Sequence, residues 1–437
     1  MFENKLQTVI KQVKAYQIYD SRGYPTVACE VQLTSGHKGL ACVPSGASTG
    51  EKEAVELRDQ QTAWMGKGVN QAVANVNQII APKLIGFDPF KQNEIDQLMI
   101  ELDGTDNKAR LGANAILAVS LAVCRAAASA CGVELYKYLR TNLYNLTTNA
   151  YDAVLPLTNV INGGQHANNN LDFQEFMLVP LKPTSWNETL KITSECFLSL
   201  QKILKDNHKS IAKGDEGGFS IDFDNLDEVF ELLLQAIQKA NYIPGVDVGI
   251  ALDVAASEFY DNGVYNLHYG NELKKLSSDE LIVIYDELLK KYPIISIEDP
   301  FDENDWAAYS KFTELYGHKI QVVGDDIYCT NKLLLQKGID LKASNAILIK
   351  LNQIGTLTEC LETIKLAHDN GLRTVISHRS GETEDTFIAD LAIAVNAQQI
   401  KTGSMSRSER LAKYNRITYI NELDETLVIP NWEELLK

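Results

Sequence analysis

Strand-like and helix-like hydrophobic patterns both occur in the first third of the chain. Residues 26–33 alternate between apolar and polar, which predicts a strand with one buried face. That face holds Val27, Cys29, Val31 and Leu33. Helical spacing follows, and its apolar face holds Val69, Val73, Val76, Ile80 and Leu84. We therefore expect residues 1–142 to form an α+β domain, an antiparallel sheet followed by helices, with the polar stretch 140–152 as a linker.

The remaining residues, 143–437, repeat a unit of a short apolar strand, a polar residue at its end and an amphipathic helix. The strands of this kind end at Asp253, Glu298, Asp325, Lys350, His378 and Lys401. Continuous apolar strands separated by helices are typical of a parallel sheet with helices on its faces. Together with the earlier strands, these units predict an eight-stranded α/β barrel, a fold that needs about 250 residues.

The opening of the second domain departs from this repeat. Residues 155–160 and 173–178 are two apolar strands with no helix between them. A short connection favours antiparallel neighbours. We therefore expect an α/β fold whose barrel is TIM-like but has an irregular start of two strands and two helices.

Charge and cysteine usage narrow the function and the compartment. With 58 acidic residues against 41 Lys and Arg, the formal net charge is −17. This argues against nucleic acid as a primary partner. The seven cysteines are widely spaced without a C-x-x-C motif, which favours free thiols in a reducing compartment. The N-terminus lacks a secretory signal, and the apolar stretch 113–123 is shorter than a membrane span, so we expect a cytoplasmic protein without membrane insertion.

Polar residues at the ends of the barrel strands are the candidate chemistry, because such residues meet at one mouth of a barrel. Asp253, Glu298 and Asp325 end successive strands without His or Cys among them, which is typical of a Mg²⁺ site. The alternative is that each acid forms an ordinary salt bridge. Lys350 and Lys401 end two further strands. A lysine there, close to another cation and to metal, should have a lowered pKa and serve as a base; otherwise the lysines only neutralise the acids.

Several motifs resemble those of the enolase family, in the order and spacing of that family. They are residues 43–50, 214–218, 296–300, 349–355, 377–383 and 400–403. The resemblance runs from about Tyr19 to Arg416, nearly the whole chain. It implies reversible dehydration of 2-phosphoglycerate to phosphoenolpyruvate, two Mg²⁺ ions per active site, and a homo-oligomer, either a dimer or an octamer.

The resemblance also implies a metal site and a base. Asp253, Glu298 and Asp325 would hold the first Mg²⁺, and Ser48 would join the second one with the phosphate. Lys350 would remove the C2 proton. Lys401 and the metals would stabilise the doubly charged aci-carboxylate that results.

On the acid and phosphate sides, the resemblance makes Glu216 the acid that assists loss of hydroxide, with Glu175 beside it. Two close carboxylates share a proton, which keeps an acid available near neutral pH. The remaining residues implied in substrate binding are His166 on a closing loop, Gln174, His378, Arg379 and Ser380.

Other interpretations explain less of the sequence. His378, Ser380 and Asp385 could form a hydrolytic triad, but no nucleophile-elbow motif supports it. Residues 46–52 superficially suggest a nucleotide loop, but their glycines are too close together. An aldolase that uses Lys350 would leave the carboxylates unexplained. A sister enzyme of the superfamily should lack the phosphate motifs. A non-catalytic protein with a surface or secreted pool could bind plasminogen through the terminal Lys437, yet such a protein should have lost a residue such as Lys350 or Glu216, and both are present.

Overall fold

The computed structural model describes residues 8–146, 148, 150–269, 272–424 and 426–436. Lys437 lies outside them. Three antiparallel strands open the described chain, namely β1 (Ile10–Tyr19), β2 (Pro25–Leu33) and β3 (Lys38–Cys42). The predicted face of β2 is buried as expected, because it packs on the helices that follow. The first domain is thus an antiparallel sheet with helices, as predicted.

The helices of this domain are α1 (Asn70–Asn75), α2 (Ala81–Leu84), α3 (Gln92–Asp103), α4 (Ala113–Cys131) and α5 (Leu135–Tyr138). They pack on the sheet or on α4, the helix that contacts β2 and β3. A π-helical segment, Val76–Ile80, joins α1 to α2. Close approach of α4 to β3 requires Gly39, because a Cβ there would lie 2.1 Å from the Ala122 carbonyl oxygen.

In the described part of the chain, α4 is the one helix that is long and apolar enough to cross a membrane. Its most apolar window is 78% buried within the protein. The buried core helix of a globular domain can be as long and apolar as a membrane span. Because α4 is mostly buried and packs on the sheet, we assign it as the core helix of the first domain.

Eight strand positions form the barrel of the second domain. In spatial order they are β5 (Leu155–Pro156) continued by β6 (Thr158–Asn162), then β7 (Glu175–Pro180), β9 (Val248–Asp253), β13 (Ile294–Glu298), β14 (Gln321–Gly324), β15 (Ala346–Ile349), β16 (Arg373–Ser377) and β17 (Gln399–Lys401). Because β5 pairs with β17 while β6 pairs with β7, the sheet closes on itself at Leu157. The predicted α/β barrel is confirmed.

The irregular start is confirmed as well. Strand β7 is antiparallel to both of its neighbours, β6 and β9. Two helices, α6 (Trp186–Asp206) and α7 (Leu226–Lys239), then follow before β9. A two-residue strand, β8 (Phe219–Ser220), lies between these helices and pairs with the end of β6.

The remaining helices alternate with the barrel strands. They are α8 (Ser278–Lys291), α9 (Trp306–Tyr316), α10 (Lys332–Leu341), α11 (Leu351–Ile354), α12 (Leu357–Asp369), α13 (Phe387–Ala394), α14 (Ser408–Leu423) and α15 (Trp432–Leu435). Short strands outside the barrel are β4 (Tyr151–Asp152), β10 (Tyr260–Asp261), β11 (Val264–Tyr269), β12 (Glu272–Leu276) and β18 (Leu427–Val428).

The linker expected over residues 140–152 is shorter than the sequence suggested. Residues Leu139–Tyr144 continue α5 as a π-helical segment. Arg140 is buried and donates hydrogen bonds to the Asn396 side chain, on the barrel, and to the Thr148 carbonyl oxygen. Although this segment has a polar composition, part of it is helical and buried, because the Arg140 side chain forms its hydrogen bonds within the protein.

Candidate active site at the barrel mouth

Strand register places a row of polar side chains at one level of the barrel mouth. Asn162 pairs with Glu175, Glu175 with Asp253, and Asp253 with Glu298. Glu175 stands at the beginning of its strand, but that strand runs antiparallel to its neighbours, so its start lies at the same mouth as their ends. The row explains how two acids that end strands meet one that begins a strand.

Lys401 connects this row across the mouth. Its Nζ lies 2.8 Å from Asp253 Oδ2, 2.9 Å from both carboxylate oxygens of Glu298 and 3.1 Å from Glu175 Oε1. All four side chains are buried. Burial opposes the charge of Lys401, but the carboxylates of Asp253, Glu175 and Glu298 raise its pKa above the usual range. The ammonium group therefore remains charged between the acids.

Lys350 is the N-cap of α11 and forms an ion pair with Asp325. Gln353 Nε2 donates to the other oxygen of Asp325 at 2.9 Å. The expected lowering of the Lys350 pKa is wrong for this arrangement. Although burial lowers the pKa of Lys350, the contacting Asp325 carboxylate outweighs burial and raises it. The direction of the pKa shift of Lys350 depends on the charge nearest to its ammonium group, which here is the Asp325 carboxylate.

Glu216 lies in the turn that precedes β8 and is contacted from three sides. Asn159 Nδ2 donates to Glu216 Oε2 at 2.9 Å, and His378 Nε2 and His166 Nδ1 lie 3.3 and 3.6 Å from Oε1. His166 Nδ1 is also 3.4 Å from Glu175 Oε1. One ligand-type atom from each of His166, Glu175 and Glu216 lies within 4.8 Å of the others. The two glutamates are thus neighbours, as the resemblance implied.

Within this glutamate pair, the surroundings shift the two pKa values in opposite directions. Burial and the charge of Glu216 raise the pKa of Glu175 to about 7. Burial also opposes ionisation of Glu216, but His378, His166 and Arg410 hold the pKa of that carboxyl below its usual range. The pair is therefore suited to keep one acidic proton near neutral pH, and the directions of the two pKa shifts favour Glu175 as its carrier.

Arg379 lies where the loop of residues 43–50 from the first domain meets the barrel. Its Nη2 donates to the Ser48 carbonyl oxygen at 3.0 Å. The close approach requires Gly46, since a Cβ there would lie 2.0 Å from Arg379 Nη2. Ser45 and Gly381 exchange two backbone hydrogen bonds, of 2.7 and 2.8 Å, which fasten the loop to the barrel.

Most of the residues that the sequence suggested line one small cavity at the barrel mouth. Its lining consists of Ser48, His166, Gln174, Glu175, Glu216, Asp253, Lys350, Ser377, His378, Arg379, Ser380 and Lys401. Glu298 and Asp325 do not line it, but each contacts a lysine that does. The strand-end and loop residues therefore converge on one site that has both cationic and anionic walls.

The chemistry of the donor set fits hard divalent cations. Asp253, Glu298 and Asp325 offer only oxygen ligands, as Mg²⁺ prefers. One carboxylate oxygen from each of Asp299, Asp325 and Asp326 lies within 4.8 Å of the others. Burial and the charge of Asp253 raise the pKa of Glu298. The mouth thus holds more negative charge than its two lysines neutralise, and a bound cation would relieve this excess.

Sequence reasoning missed three side chains that support the site. Glu53 contacts Arg379, Asn159 contacts Glu216, and Gln353 contacts Asp325. Gln353 lies in the motif 349–355 and Glu53 lies three residues after the motif 43–50, but neither residue ends a barrel strand. Asn159 lies inside β6, and a polar residue within an otherwise apolar strand could have indicated a buried hydrogen bond.

The fold and the mouth together define an α/β-barrel protein whose mouth gathers buried carboxylates, histidines and lysines, a set of groups suited to a divalent cation. The family described as "Enolase, N-terminal domain" matches residues 10–139, and "Enolase, C-terminal TIM barrel domain" matches residues 151–428. The chain belongs to the enolase family and is a lyase, a phosphopyruvate hydratase.

Curated relatives named enolase agree with this assignment. The Mycoplasma pneumoniae protein is 55% identical over 421 residues, which cover 94% of this chain and 92% of the relative. The Mycoplasmoides gallisepticum protein is 52% identical and the match covers 95% and 89% of the two chains. The Mycoplasma genitalium protein is 53% identical with 95% and 93% coverage. The non-catalytic alternative is not favoured, and the Lys437 that it invoked lies outside the described residues.

Proposed function

We propose that this lyase interconverts 2-phosphoglycerate and phosphoenolpyruvate in the cavity at the barrel mouth, with Lys350 as base and the Glu216–Glu175 pair as acid. The observation that carries this proposal is the arrangement of these groups around one cavity. Lys350 follows the sixth barrel strand and Glu175 begins the second, so they are four positions apart in an eight-stranded barrel and lie on opposite sides of the mouth. A substrate between them can lose a proton on one side and hydroxide on the other.

In the forward direction, neutral Lys350 Nζ takes the C2 proton. The electron pair of that C–H bond moves into the neighbouring carboxylate, whose charge the Lys401 ammonium faces and stabilises. The electrons then return to form the C2–C3 double bond as the C3–O bond breaks. A proton from the Glu216–Glu175 pair joins the departing hydroxide, which leaves as water.

We propose that Asp253, Glu298 and Asp325 hold one Mg²⁺ ion and that Ser48 contributes to a second. When bound, the divalent cations would neutralise these carboxylates, leave Lys350 free to act as a base, and stabilise the negative charge of the substrate carboxylate and phosphate. The oxygen-only donor set and the uncompensated charge of the mouth support this choice of metal.

The phosphate is assigned to the wall formed by Arg379 and Ser380, where the guanidinium group supplies planar donors for oxyanions. His166 and Gln174 line the same cavity, and Gln174 Nε2 lies 3.3 Å from Asp253 Oδ2. We assign His166 to closure over the substrate, Gln174 to its orientation, and His378 to the boundary between the phosphate and the acid pair.

Three further proposals concern the domain boundary, the cellular compartment and the oligomeric state. We propose that the domain boundary lies between residues 142 and 143 and that the protein works in the cytoplasm. We also propose that the chain forms a homo-oligomer. Light scattering coupled to size-exclusion chromatography distinguishes the dimer from the octamer by mass.

The ultraviolet absorbance of phosphoenolpyruvate tests the reaction and the metal together. Purified protein is given 2-phosphoglycerate with Mg²⁺, with EDTA, and with EDTA followed by excess Mg²⁺. We expect an absorbance rise with Mg²⁺, none with EDTA, and recovery after Mg²⁺ is restored. Folded, Mg²⁺-loaded protein that produces no rise would refute the proposed substrate, and an undiminished rate in EDTA would refute the metal assignment.

A further inference from the structure

Arg410 is a buried arginine that no step of the proposed reaction uses. It lies in the first turn of α14 and has no exposed surface. Its Nη1 contacts His378 Nδ1 at 2.6 Å and the Arg379 carbonyl oxygen at 2.7 Å. Its Nη2 donates to the carbonyl oxygens of Ser380 at 2.6 Å and Asp215 at 3.1 Å. One guanidinium group thus joins the phosphate wall, His378 and the turn that carries the acid.

The contact with His378 determines which ring nitrogen carries the proton. A guanidinium group has only donors, so Nδ1 of His378 must accept the hydrogen bond from Arg410. In a neutral imidazole the other nitrogen, Nε2, then carries the hydrogen. That nitrogen lies 3.3 Å from Glu216 Oε1. In this structure the two atoms are close without forming a hydrogen bond, so the hydrogen of His378 lies on the side of the ring next to the acid.

We propose that Arg410 is a positioning residue that fixes the Nε2–H tautomer of His378 toward Glu216 and holds the acid turn against the phosphate wall. The inference deepens the proposed function and rests on it, because its catalytic consequence depends on Glu216 belonging to the acid pair. Its structural part, the tautomer, does not depend on the reaction.

Two neighbouring features support this role. Gly403 leaves the space that the arginine and the turn occupy, because a Cβ there would lie 2.8 Å from both Arg410 Cδ and the Glu216 carbonyl oxygen. Ser404 N donates to that same oxygen at 3.0 Å. The segment after β17 is thus built around Arg410 and the acid turn together.

The charges around His378 agree with a neutral ring. Glu216, Arg410 and Glu382 are the charged groups that act on it. Burial and the Arg410 charge lower the pKa of His378 to about 4, against the opposing effect of Glu216. A neutral imidazole ring carries one N–H group, so the nitrogen that bears the hydrogen can be determined by experiment.

Nuclear magnetic resonance of the ¹⁵N-labelled imidazole rings reads this property without substrate. The sequence has seven histidines, and His378→Gln identifies the His378 signals by their loss. In the wild type, with and without Mg²⁺, we expect a protonated Nε2 and an unprotonated Nδ1. A protonated Nδ1 in the wild type would overturn the proposal, and this measurement needs no Arg410 variant.

Arg410→Lys keeps the charge but removes the planar fork of donors. We expect the variant to populate the Nδ1–H tautomer of His378 and to lose about tenfold or more in kcat, as is usual when an outer partner of a reacting group is removed. Lys413→Met is the matched control. Lys413 is equally buried on the same helix, yet it bonds Glu382 and the Thr383 carbonyl oxygen and makes no contact with His378.

The control variant should keep the wild-type tautomer even if its melting temperature falls. An Arg410→Lys protein with an unchanged tautomer would show that Arg410 acts only as a structural support. If the tautomer changes while Glu216→Gln retains full dehydration, the positioning of His378 stands and the assignment of the acid fails. The two failures are therefore distinguishable.

Discussion

Glu53 of the first domain and Arg379 of the barrel form an ion pair with two hydrogen bonds, Nη1 to Oε2 at 2.9 Å and Nη2 to Oε1 at 3.1 Å. Arg379 Nη1 also donates to Asn352 Oδ1 at 3.0 Å. Glu53 Oε1 accepts a further hydrogen bond, of 3.2 Å, from Gln353, which contacts the proposed metal ligand Asp325. One carboxylate from outside the barrel therefore links the phosphate wall to the metal side of the cavity.

This link predicts a binding defect in Glu53→Gln. The amide places an NH₂ group opposite a guanidinium donor, so Arg379 loses one of its two bonds to this side chain and the fixed orientation they impose. We expect the KM for 2-phosphoglycerate to rise about tenfold, equivalent to roughly 1.4 kcal/mol, with a smaller change in kcat. Steady-state kinetics at saturating Mg²⁺ measure both constants.

Glu56→Gln is the control for this prediction. Glu56 belongs to the same segment but pairs with Arg58 and accepts from Ser45, not from Arg379. Its KM should stay near the wild-type value. A Glu53→Gln enzyme with wild-type KM would mean that the other contacts of Arg379 suffice to position it.

The strands of the barrel could be predicted because each combines a short apolar run with a polar end. Predicted and observed ends agree within one residue at Asp253, Glu298 and Lys350, where the observed strand stops at Ile349. The pattern is strong because both faces of these strands are buried. The helical continuation over Leu139–Tyr144 was missed because its polar residues resemble a linker, and their bonds to distant residues are not visible in the sequence.

The site was predictable to the extent that strand ends and family motifs identify residues. The direction of the Lys350 pKa was not, because it depends on the distance to Asp325 rather than on residue type. The opposite pKa shifts of Glu175 and Glu216 likewise depend on which carboxylate the histidines and Arg410 surround. Arg410 itself lies on a helix of ordinary charge pattern, and only the packing shows its bond to His378.

Lys350→Ala should abolish removal of the C2 proton while Mg²⁺ binding persists. Exchange of that proton for deuterium in heavy water should fall about 10²–10⁴-fold, the usual contribution of a positioned base. Metal binding should remain because Asp253, Glu298 and Asp325 are intact, and it can be followed by the Mg²⁺-dependent rise in melting temperature. Lys319→Ala, at an exposed position, is the control. Normal exchange in Lys350→Ala would remove Lys350 from the role of base.

Glu216→Gln should separate proton removal from loss of water. Because Lys350 is untouched, exchange of the C2 proton should continue, whereas dehydration should fall about 10²–10⁴-fold. Glu258→Gln is the control, since this exposed acid contacts the His166 loop through Gln165 at 3.0 Å but lies outside the cavity. If Glu175→Gln shows this behaviour and Glu216→Gln does not, the acid is Glu175.

Lys401→Met should make folding depend more strongly on the metal. Without the ammonium group, the buried Asp253 and Glu298 carboxylates lose their shared partner, which destabilises the metal-free protein. We expect a lower melting temperature in EDTA and a larger rise on addition of Mg²⁺ than in the wild type. Lys413→Met also removes a buried ammonium but away from the mouth, so its Mg²⁺-dependent rise should match the wild type. Equal rises in all three proteins would contradict a cation site at these carboxylates.

Asp96 gives the fold a pH dependence that a single variant should remove. This fully buried acid of α3 accepts hydrogen bonds from Thr358 Oγ1 at 2.6 Å and Thr358 N at 3.0 Å, at the start of the barrel helix α12. Burial raises the pKa of Asp96 to about 6. The folded state therefore binds the proton more tightly than the unfolded state, whose Asp pKa is about 3.9. The resulting stabilisation is complete below that value and is lost as the pH rises through about 6.

Asp96→Asn mimics the protonated acid at every pH, so its stability relative to the wild type should increase by about 3 kcal/mol between about pH 4 and pH 8. Urea unfolding of both proteins at several pH values measures the difference, in which other titrating groups cancel. Asp385→Asn is the control. Its pKa is lowered by Arg125, so Asp385 is ionised in the folded state throughout this range, and the difference should change much less. A constant difference for Asp96→Asn would mean that Asp96 stays ionised where it is buried, with Gln92 and Thr358 alone satisfying the charge.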